Sequence, residues 1–190
     1  ATAGADYTAS NGTLTIAAGA TTATFNVGVL ADSLDEANET VTLTLSSATN
    51  ASISDATGTL TITDDDNPPT VDFNTTSSSG AESLASTALT VDLSTASAKD
   101  VTVAYTISGT ATGSGTDFTL ANGSLTIAAG DTSGAITIAS IANDALDEAN
   151  ETVIVTLTAS PTNAALGSDD AHTYTINDND DTPSLSIADV

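Results

Sequence analysis

An internal repeat constrains the fold of this chain more than any other feature of its sequence. The octapeptide LDEANETV occurs at residues 34–41 and again, letter for letter, at residues 146–153. Around it, ATAGADYTASNGTLTIAAG from Ala1 aligns with ATGSGTDFTLANGSLTIAAG from Ala111, and TLTITDDDNPPTVDF aligns with TYTINDNDDTPSLSI. Such self-similarity indicates one structural unit, of about 110 residues, that is used more than once.

The phase of the repeat divides the chain into three parts. Residues 1–67 hold only the C-terminal strands of a first unit, and residues 68–181 form a complete second unit. Residues 182–190 open a third unit, because TPSLSIADV is equivalent to PPTVDF. We expect the chain to be a window cut from a longer tandem array. The alternative is that a neighbouring molecule supplies the strands that the first unit lacks, as in strand donation.

Apolar residues alternate with Thr or Ser through seven short segments of the second unit. The segments are PTVDFN, TALTVDLS, VTVAYTIS, GSLTIAA, GAITIASI, TVIVTLTA and HTYTIND. This alternation puts the apolar side chains on one face of each strand, and no segment has the period of a helix. Seven such strands in about 110 residues predict an all-β fold, an immunoglobulin-like antiparallel β-sandwich in tandem repeats.

The acidic residues of the second unit converge on one end of the predicted sandwich. If the strands are named A to G and alternate in direction, then the AB, CD and EF loops and the end of strand G share one pole. The acidic residues in these segments are Glu82, Asp117, Asp144, Asp147, Glu148, Glu151, Asp178, Asp180 and Asp181.

This negative charge has no basic counterpart in the sequence. Lys99 is the sole Lys or Arg against 25 acidic residues, which gives a formal net charge of −24. Two carboxylates 4 Å apart repel each other by about 1 kcal/mol even in water. Hard oxygen ligands from several loops are those that Ca²⁺ prefers, so we predict Ca²⁺ as the cofactor. The alternative is a halophile-like acidic surface, but that would scatter the charge over the strands.

The same composition excludes several classes of function. A chain without a basic patch is not expected to bind nucleic acid or an anionic membrane. No apolar run approaches the roughly 18 residues of a membrane span. We predict no enzymatic activity, because the carboxylate pairs lie in a repeated ion-binding pattern and lack aromatic residues for a sugar. His172, the sole His, has no counterpart in the first unit and is predicted to lie at the surface or at a strand edge.

Four motifs that recur in the same order resemble the Calx-β domain family. They are the loops ATAGADY and GTATGSGTDF, the strands with turns NGTLTIAAG and NGSLTIAAG, the acidic segments ADSLDEANETV and NDALDEANETV, and the endings TLTITDDD and YTINDND. The resemblance implies a seven-stranded sandwich with Ca²⁺ sites at the distal loops. The family occurs in sodium–calcium exchangers, in an integrin subunit and in long bacterial surface and adhesion proteins.

The resemblance also implies a set of metal ligands. In the second unit these fall on Glu82, Asp117, Asp144, Glu148, Glu151, Asp178 and Asp180, and in the first unit on Asp6, Asp32, Glu36, Glu39, Asp64, Asp65 and Asp66. Three positions depart from the family pattern. Ala31 and Asn143 replace the first Asp of the EF pair, and Asn179 interrupts the final acidic triplet. We therefore expect about one to three Ca²⁺ at a complete pole.

These observations lead to one functional hypothesis and its alternatives. We expect a calcium-binding structural repeat of a secreted or cell-surface bacterial protein, a stalk, fibre or adhesin spacer that Ca²⁺ rigidifies, with neighbouring units of the same chain as partners. Pro68 and Pro69 stiffen the short link between units. The alternative is a regulatory calcium sensor of the exchanger type. An adhesive tip, and a homo-oligomer or filament formed by strand sharing, are further alternatives.

Overall fold

The computed structural model describes residues 1–187, and its secondary structure in that range consists of β-strands. The backbone divides into two compact units, Ala1–Asp66 and Asn67–Val190, which are the first and the second unit from here on. Within residues 1–187 there is no helix with the length and hydrophobicity of a membrane span.

The strands are numbered in chain order. The first unit contains β1 (Glu39–Thr44) and β2 (Thr57–Ile62). The second unit contains β3 (Thr70–Phe73), β4 (Ser77–Ala81), β5 (Ser86–Leu93), β6 (Val101–Gly109), β7 (Gly123–Ile127), β8 (Ser133–Ala139), β9 (Glu151–Leu157), β10 (Ala165–Leu166) and β11 (Ala171–Asn177).

The second unit is a sandwich of two sheets. One sheet has the order β10-β3-β5-β8 and the other has the order β4-β11-β9-β6-β7. All neighbours pair antiparallel except β10 with β3 and β4 with β11, which are parallel. The prediction of an all-β, sandwich-type fold is confirmed. The seven predicted strands correspond to β3, β5, β6, β7, β8, β9 and β11.

The core of the second unit lies between these two sheets. Along β9 and β11 every second residue is buried, as the alternation of Val, Ile and Thr predicts. Both sheets contribute buried apolar side chains, including Val71, Phe73, Leu89, Val91, Ile136 and Ile138 from one and Val101, Val103, Ile127, Val153, Val155, Leu157, Tyr174 and Ile176 from the other. Because no Trp or Met is present, small β-branched side chains fill most of this space.

Strand A of the prediction is in fact two strands in different sheets. β3 pairs antiparallel with β5, and after Phe73 the chain crosses over so that β4 pairs in parallel with β11. The sequence of β4, SSSGA, has no apolar alternation, so sequence patterning missed it. Its Gly80 lies against the ring of Tyr174, where a Cβ atom would be 2.3 Å from the hydroxyl oxygen. This crossover places Glu82 beside the end of β11.

The prediction for His172 was wrong. The ring is 3% exposed and belongs to β11, which lies between β9 and β4. Nδ1 donates to the carbonyl oxygen of Thr75 at 2.5 Å, and Nε2 lies 2.7 Å from the hydroxyl oxygen of Ser78. Because a carbonyl oxygen only accepts, Nε2 accepts from Ser78 in the neutral ring. His172 is on the core face because it alternates in register with Tyr174 and Ile176.

The first unit contains a two-stranded sheet in which β1 pairs antiparallel with β2, from Glu39 opposite Ile62 to Thr44 opposite Thr57. Residues 12–16 and 22–28, which align with β7 and β8, form no strand, and Leu14, Ile16 and Phe25 are exposed. In the second unit β7 and β8 pair with β6 and β5. Residues 1–66 contain no counterpart of β5 or β6, so these segments lack their strand partners.

The predicted opening strand of a third unit covers residues 182–190. Residues 182–187 form no strand, and the side chains of Leu185 and Ile187 are exposed. Residues 188–190 lie outside the described residues.

Candidate metal centre

Hydrogen bonds join the segments of the second unit that carry the acidic residues. The N–H of Glu82, after β4, donates to the carbonyl oxygen of Asn177 in β11 at 3.0 Å. The N–H of Ala142, after β8, donates to the carbonyl oxygen of Asp117 at 2.9 Å. The N–H of Asp178, after β11, donates to Oδ1 of Asn150 in the β8–β9 loop at 3.1 Å. The end of β4, the β6–β7 loop, the β8–β9 loop and the end of β11 therefore lie together, as the strand directions predicted. These four segments are called the acidic pole.

Glu82, Asp178 and Asp180 form the tightest group of carboxylates at this pole. Each offers a carboxylate oxygen, and these oxygens lie within 4.8 Å of one another. Glu82 is 7% exposed. Oε1 of Glu82, Oδ1 of Asp178 and Oδ2 of Asp180 are buried and have no hydrogen-bond partner. A buried acceptor without a donor is costly, so this group is suited to a cation that all three oxygens contact.

The pKa of Glu82 is also affected by this crowding of buried carboxylates. Burial, then a hydrogen bond with Asp180, and then repulsion from Asp180, Asp178 and Asp144 together raise it from 4.5 to about 7. Desolvation and like charges both disfavour the ionised form. In the absence of a metal, the carboxyl group of Glu82 is therefore partly protonated near neutral pH.

Asp117, Glu148 and Glu151 form a second group at the acidic pole. The pKa of Glu151 is raised by burial, then by repulsion from and a hydrogen bond with Asp117, and then by repulsion from Glu148. Asp117 is fixed by its own loop, because its Oδ2 accepts the N–H of Thr112 at 2.5 Å. Asp144 is fixed in the same way by the N–H of Leu146, at 2.8 Å.

The predicted ligands of the first unit line a single pocket of about 90 Å³. All seven take part: Asp6, Asp32, Glu36, Glu39, Asp64, Asp65 and Asp66. Oxygens of Asp6, Glu36 and Glu39 lie within 4.8 Å of one another. Local contacts fix two of these side chains as in the second unit, since Asp6 accepts the N–H of Thr2 and Asp32 accepts that of Leu34 at 2.8 Å.

Burial and repulsion both act on the carboxylates of this pocket as well. The pKa of Glu36 is raised by burial and then by repulsion from Asp32, Asp6, Glu39 and Asp64. The pKa of Asp66 is also raised, by desolvation and then by the charges of Asp65, Asp64, Asp32 and Asp35. Asp35 is 4% exposed and was not among the predicted ligands. Its position inside LDEANETV was the signal that it belongs to this cluster.

The two units group their equivalent acids differently. Asp117, Glu148 and Glu151, which align with Asp6, Glu36 and Glu39, are all described but do not meet the 4.8 Å distance that the first-unit residues meet. The closest group of the second unit instead includes Glu82, which has no counterpart in residues 1–66. The structure thus brings the predicted residues of each unit together, and a different set of three carboxylates lies closest in each unit.

Sequence reasoning missed the part played by asparagine. Oδ1 of Asn150 accepts the N–H of Asp178 at 3.1 Å, and Oδ1 of Asn38 accepts that of Asp64 at 3.0 Å. These asparagines occupy the same place in the two copies of the octapeptide, so their identity in both copies was the available signal. In addition, Nδ2 of Asn179 donates to Oδ1 of Asn143 at 3.1 Å. Two of the three departures from the family pattern therefore contact each other.

Comparison with known proteins places this geometry in a family. The Calx-beta domain matches residues 1–66 and 64–180. The solved structure titled "Crystal structure of Apo-form Calx CBD1 domain" has a TM-score of 0.53 and 23% identity, over 60% of this chain and 100% of that one. The solved structure titled "Crystal structure of calcium binding domain CBD12 of CALX1.1" has a TM-score of 0.52 and 24% identity, over 58% of this chain and 44% of that one.

A third solved structure, "Crystal structure of CBD12 from CALX1.2", has a TM-score of 0.50 and 21% identity, over 57% of this chain and 43% of that one. This chain therefore spans less than half the length of either CBD12 chain. At these identities the solved structures support the fold. No curated protein sequence matches the chain.

The residues present fit the ion that Calx-β domains bind, which is Ca²⁺. Each pole supplies three carboxylate oxygens close together, and those of the second unit include buried oxygens without a donor. Ligand sets made of carboxylate oxygens are typical of Ca²⁺ rather than of zinc or copper. Since the two matched segments together span residues 1–180, this chain belongs to the Calx-β domain family.

Proposed function

We propose that this chain is a calcium-binding structural module of a secreted or cell-surface bacterial protein, in which repeated units that Ca²⁺ rigidifies act as a stalk, fibre or adhesin spacer. One observation carries the calcium site: one buried oxygen of each of Glu82, Asp178 and Asp180 has no hydrogen-bond partner. Lys99 precedes β6 whereas Asp117 follows it, and a strand of nine residues spans about 30 Å. The basic residue therefore lies far from the acidic pole of its own unit.

Glu82, Asp178 and Asp180, together with Asp144, would hold a cation in the second unit, and Asp6, Glu36 and Glu39 would hold one in the first. A bound Ca²⁺ supplies the positive charge that these side chains lack. The carboxylates lie on segments that follow or precede different strands, so holding them together also fixes the loops of the pole. The chain's own contribution is to bring these segments together through backbone hydrogen bonds.

The proposed mechanical role rests on where the acids lie along the chain. Asp64, Asp65 and Asp66 directly precede Asn67, Pro68 and Pro69, which lead into β3. A cation that orders these carboxylates also orders the first residues of the connection, and the two prolines restrict the rest. A chain of such units would lose its stiffness when Ca²⁺ is removed.

The setting is proposed from composition. The chain has no Cys and one basic residue, and Thr, Ala, Ser and Asp dominate it. These features favour a secreted bacterial repeat protein. In extracellular fluid, sites with dissociation constants of order 10⁻⁴ to 10⁻³ M are still filled by Ca²⁺.

Calcium titration by calorimetry, combined with thermal unfolding in Ca²⁺ and in chelator, tests this function. We expect millimolar or sub-millimolar affinity and a large increase in melting temperature with Ca²⁺. The variant D178N/D180N should lose that increase, whereas D131N, an acid in the β7–β8 turn, should keep it. A wild-type chain that takes up no Ca²⁺, or gains no stability from it, would rule the proposal out.

A regulatory calcium sensor of the exchanger type is the second candidate. The observation in its favour is the likeness to solved Calx domains, one of which is titled a calcium binding domain. A sensor requires sites that respond to small changes in concentration. Micromolar affinity in the same titration, with a change in hydrodynamic radius over that range, would favour the sensor over the stalk.

A further inference from the structure

We propose that Asn143, Asn150 and Asn179 form a metal-independent latch that holds residues 178–180 against the β8–β9 loop and so positions Asp178 and Asp180 before a cation binds. This inference rests on the proposed Ca²⁺ site of the second unit. The three side chains are called the asparagine latch below. They are uncharged, so they act without adding to the repulsion of the acidic pole.

The first contact of the latch is from side chain to backbone. Oδ1 of Asn150 accepts the N–H of Asp178 at 3.1 Å and so ties the start of this segment to the residue before β9. The first unit repeats the contact between Asn38 and Asp64 at 3.0 Å. The contact recurs because the equivalent strands pair in the same register in both units, with Glu39 opposite Ile62 and Glu151 opposite Ile176.

The second contact belongs to the second unit alone. Nδ2 of Asn179 donates to Oδ1 of Asn143 at 3.1 Å. The first unit has Asp65 and Ala31 at these positions and cannot form this bond. An amide supplies both a donor and an acceptor, whereas two carboxylates would require a proton or a cation between them. The two asparagines thus replace an ion bridge by a direct hydrogen bond.

The latch opposes a force that the acidic pole creates. Glu82, Asp178 and Asp180 repel one another in the metal-free protein, which favours movement of the segment after β11 away from Glu82. Two hydrogen bonds, at residues 178 and 179, restrain the backbone on the N-terminal side of Asp180. Preorganised ligands lose less conformational entropy on binding, so the latch should strengthen Ca²⁺ affinity although it does not contact the ion.

Amide hydrogen exchange in chelator and calorimetric Ca²⁺ titration, both on the full chain, test the latch. The variants are N150A, N143A, N179A and N143A/N179A. Each single variant should speed exchange of the amides at residues 178–180 in chelator. Each should also weaken Ca²⁺ affinity by roughly two- to five-fold, the value of one exposed hydrogen bond. The double variant should match the single variants of its pair, because both remove the same bond.

The control variant breaks an amide hydrogen bond elsewhere in the same unit. Nδ2 of Asn163 donates to the carbonyl oxygen of Asp100 at 2.9 Å, in the loop between β9 and β10. Asn163 has a φ of +59°, so N163G removes the bond without backbone strain. This variant should lower the melting temperature and leave both the exchange at residues 178–180 and the Ca²⁺ affinity unchanged.

The outcomes separate the latch from the proposed function. If N150A and N179A leave exchange and affinity as in the wild type, the latch is wrong even though Ca²⁺ binds. If the double variant N143A/N179A loses twice as much free energy of Ca²⁺ binding as either single variant, the two asparagines do not act through one bond. In that case the latch is also wrong. If the variants speed exchange but the wild type takes up no Ca²⁺, the latch holds the segment and the proposed function fails.

Discussion

The substitution E82Q should change the stability of the second unit in opposite directions with and without Ca²⁺. The pKa of Glu82 is raised from 4.5 to about 7, first by burial and then by its contact with and repulsion from Asp180. In the unfolded chain the carboxyl group has its ordinary pKa. The folded state therefore holds a proton that the unfolded state releases. The stability that protonated Glu82 contributes is complete below pH 4.5 and is lost as the pH rises to about 7.

The magnitude follows from the size of this pKa change. A rise from 4.5 to about 7 corresponds at face value to about 3 kcal/mol against the ionised form. Glu82 lies at the end of the sandwich, where solvent screens its charge, and we therefore reduce the figure to about 1–2 kcal/mol. Gln is neutral at every pH. In chelator at pH 8, E82Q should be more stable than the wild type by this amount, or by roughly 4 °C in melting temperature per kcal/mol.

Saturating Ca²⁺ should reverse that order. A ligand at 100 times its dissociation constant adds about 2.7 kcal/mol to the free energy of unfolding. The wild type gains this amount, whereas E82Q has lost a charged ligand and gains less. The assay is urea denaturation followed by tyrosine fluorescence, because the chain has no Trp and both Tyr105 and Tyr174 lie in the second unit. Measurements at pH 4.5 and pH 8, each with chelator or Ca²⁺, give the four comparisons.

Two results would refute the reasoning about Glu82. If E82Q is no more stable than the wild type in chelator at pH 8, the carboxylates of the acidic pole do not repel one another as the geometry indicates. If Ca²⁺ stabilises E82Q as much as the wild type, Glu82 does not hold the ion. The variant D131N removes one charge away from the pole and controls for a general effect of net charge.

Three further predictions concern pH, the buried imidazole and one backbone position. A proton on Glu82 competes with the cation, so the Ca²⁺ affinity measured by calorimetry should fall as the pH drops below about 7. An affinity that does not change between pH 8 and pH 6 would contradict this. H172L removes both hydrogen bonds of the ring and leaves the carbonyl oxygen of Thr75 without its donor, which should cost about 1–3 kcal/mol. Urea denaturation should show the same loss with and without Ca²⁺, and a loss confined to one condition would contradict a purely structural role. Gly109 has a φ of +127°, and a Cβ there would lie 2.1 Å from the carbonyl oxygen of Thr152. G109A should therefore lower the free energy of unfolding by more than about 2 kcal/mol. Thermal unfolding measures this loss, and an unchanged melting temperature would contradict it.

The alternation of apolar and polar residues was sufficient to predict most of the second unit. Strands such as β9 and β11 bury every second side chain, so their pattern is visible in the sequence. β4 and β10 could not be found in this way. SSSGA has no apolar face, and β4 exists because its backbone pairs with β11, a strand almost 100 residues later. His172 was misplaced because its single occurrence was given more weight than its register with Tyr174.

The location of the acidic pole could also be predicted, but the grouping of its carboxylates could not. Strand direction alone decides which loops meet, so the seven predicted ligands of the second unit could be placed at one end. Which three of them come closest depends on the crossover from β3 to β4. This crossover lets the N–H of Glu82 donate to the carbonyl oxygen of Asn177 at 3.0 Å. No pattern in the sequence indicates that crossover. The hydrogen bonds of Asn150 and Asn179 likewise require the positions of two segments that are distant in sequence.

The two units show that the acidic residues are brought together with or without a closed core. In both units a residue two or three positions after the segment that aligns with β8 donates its N–H to the carbonyl oxygen of the loop Asp, at 2.9 Å for Leu30 to Asp6 and 2.9 Å for Ala142 to Asp117. Yet Val41 is the one buried apolar side chain of residues 1–66, whereas the second unit has a continuous core. The carboxylates of the first unit are therefore brought together although little apolar burial offsets their repulsion. It follows that charge neutralisation, rather than formation of the pole, is the step that a bound cation must contribute.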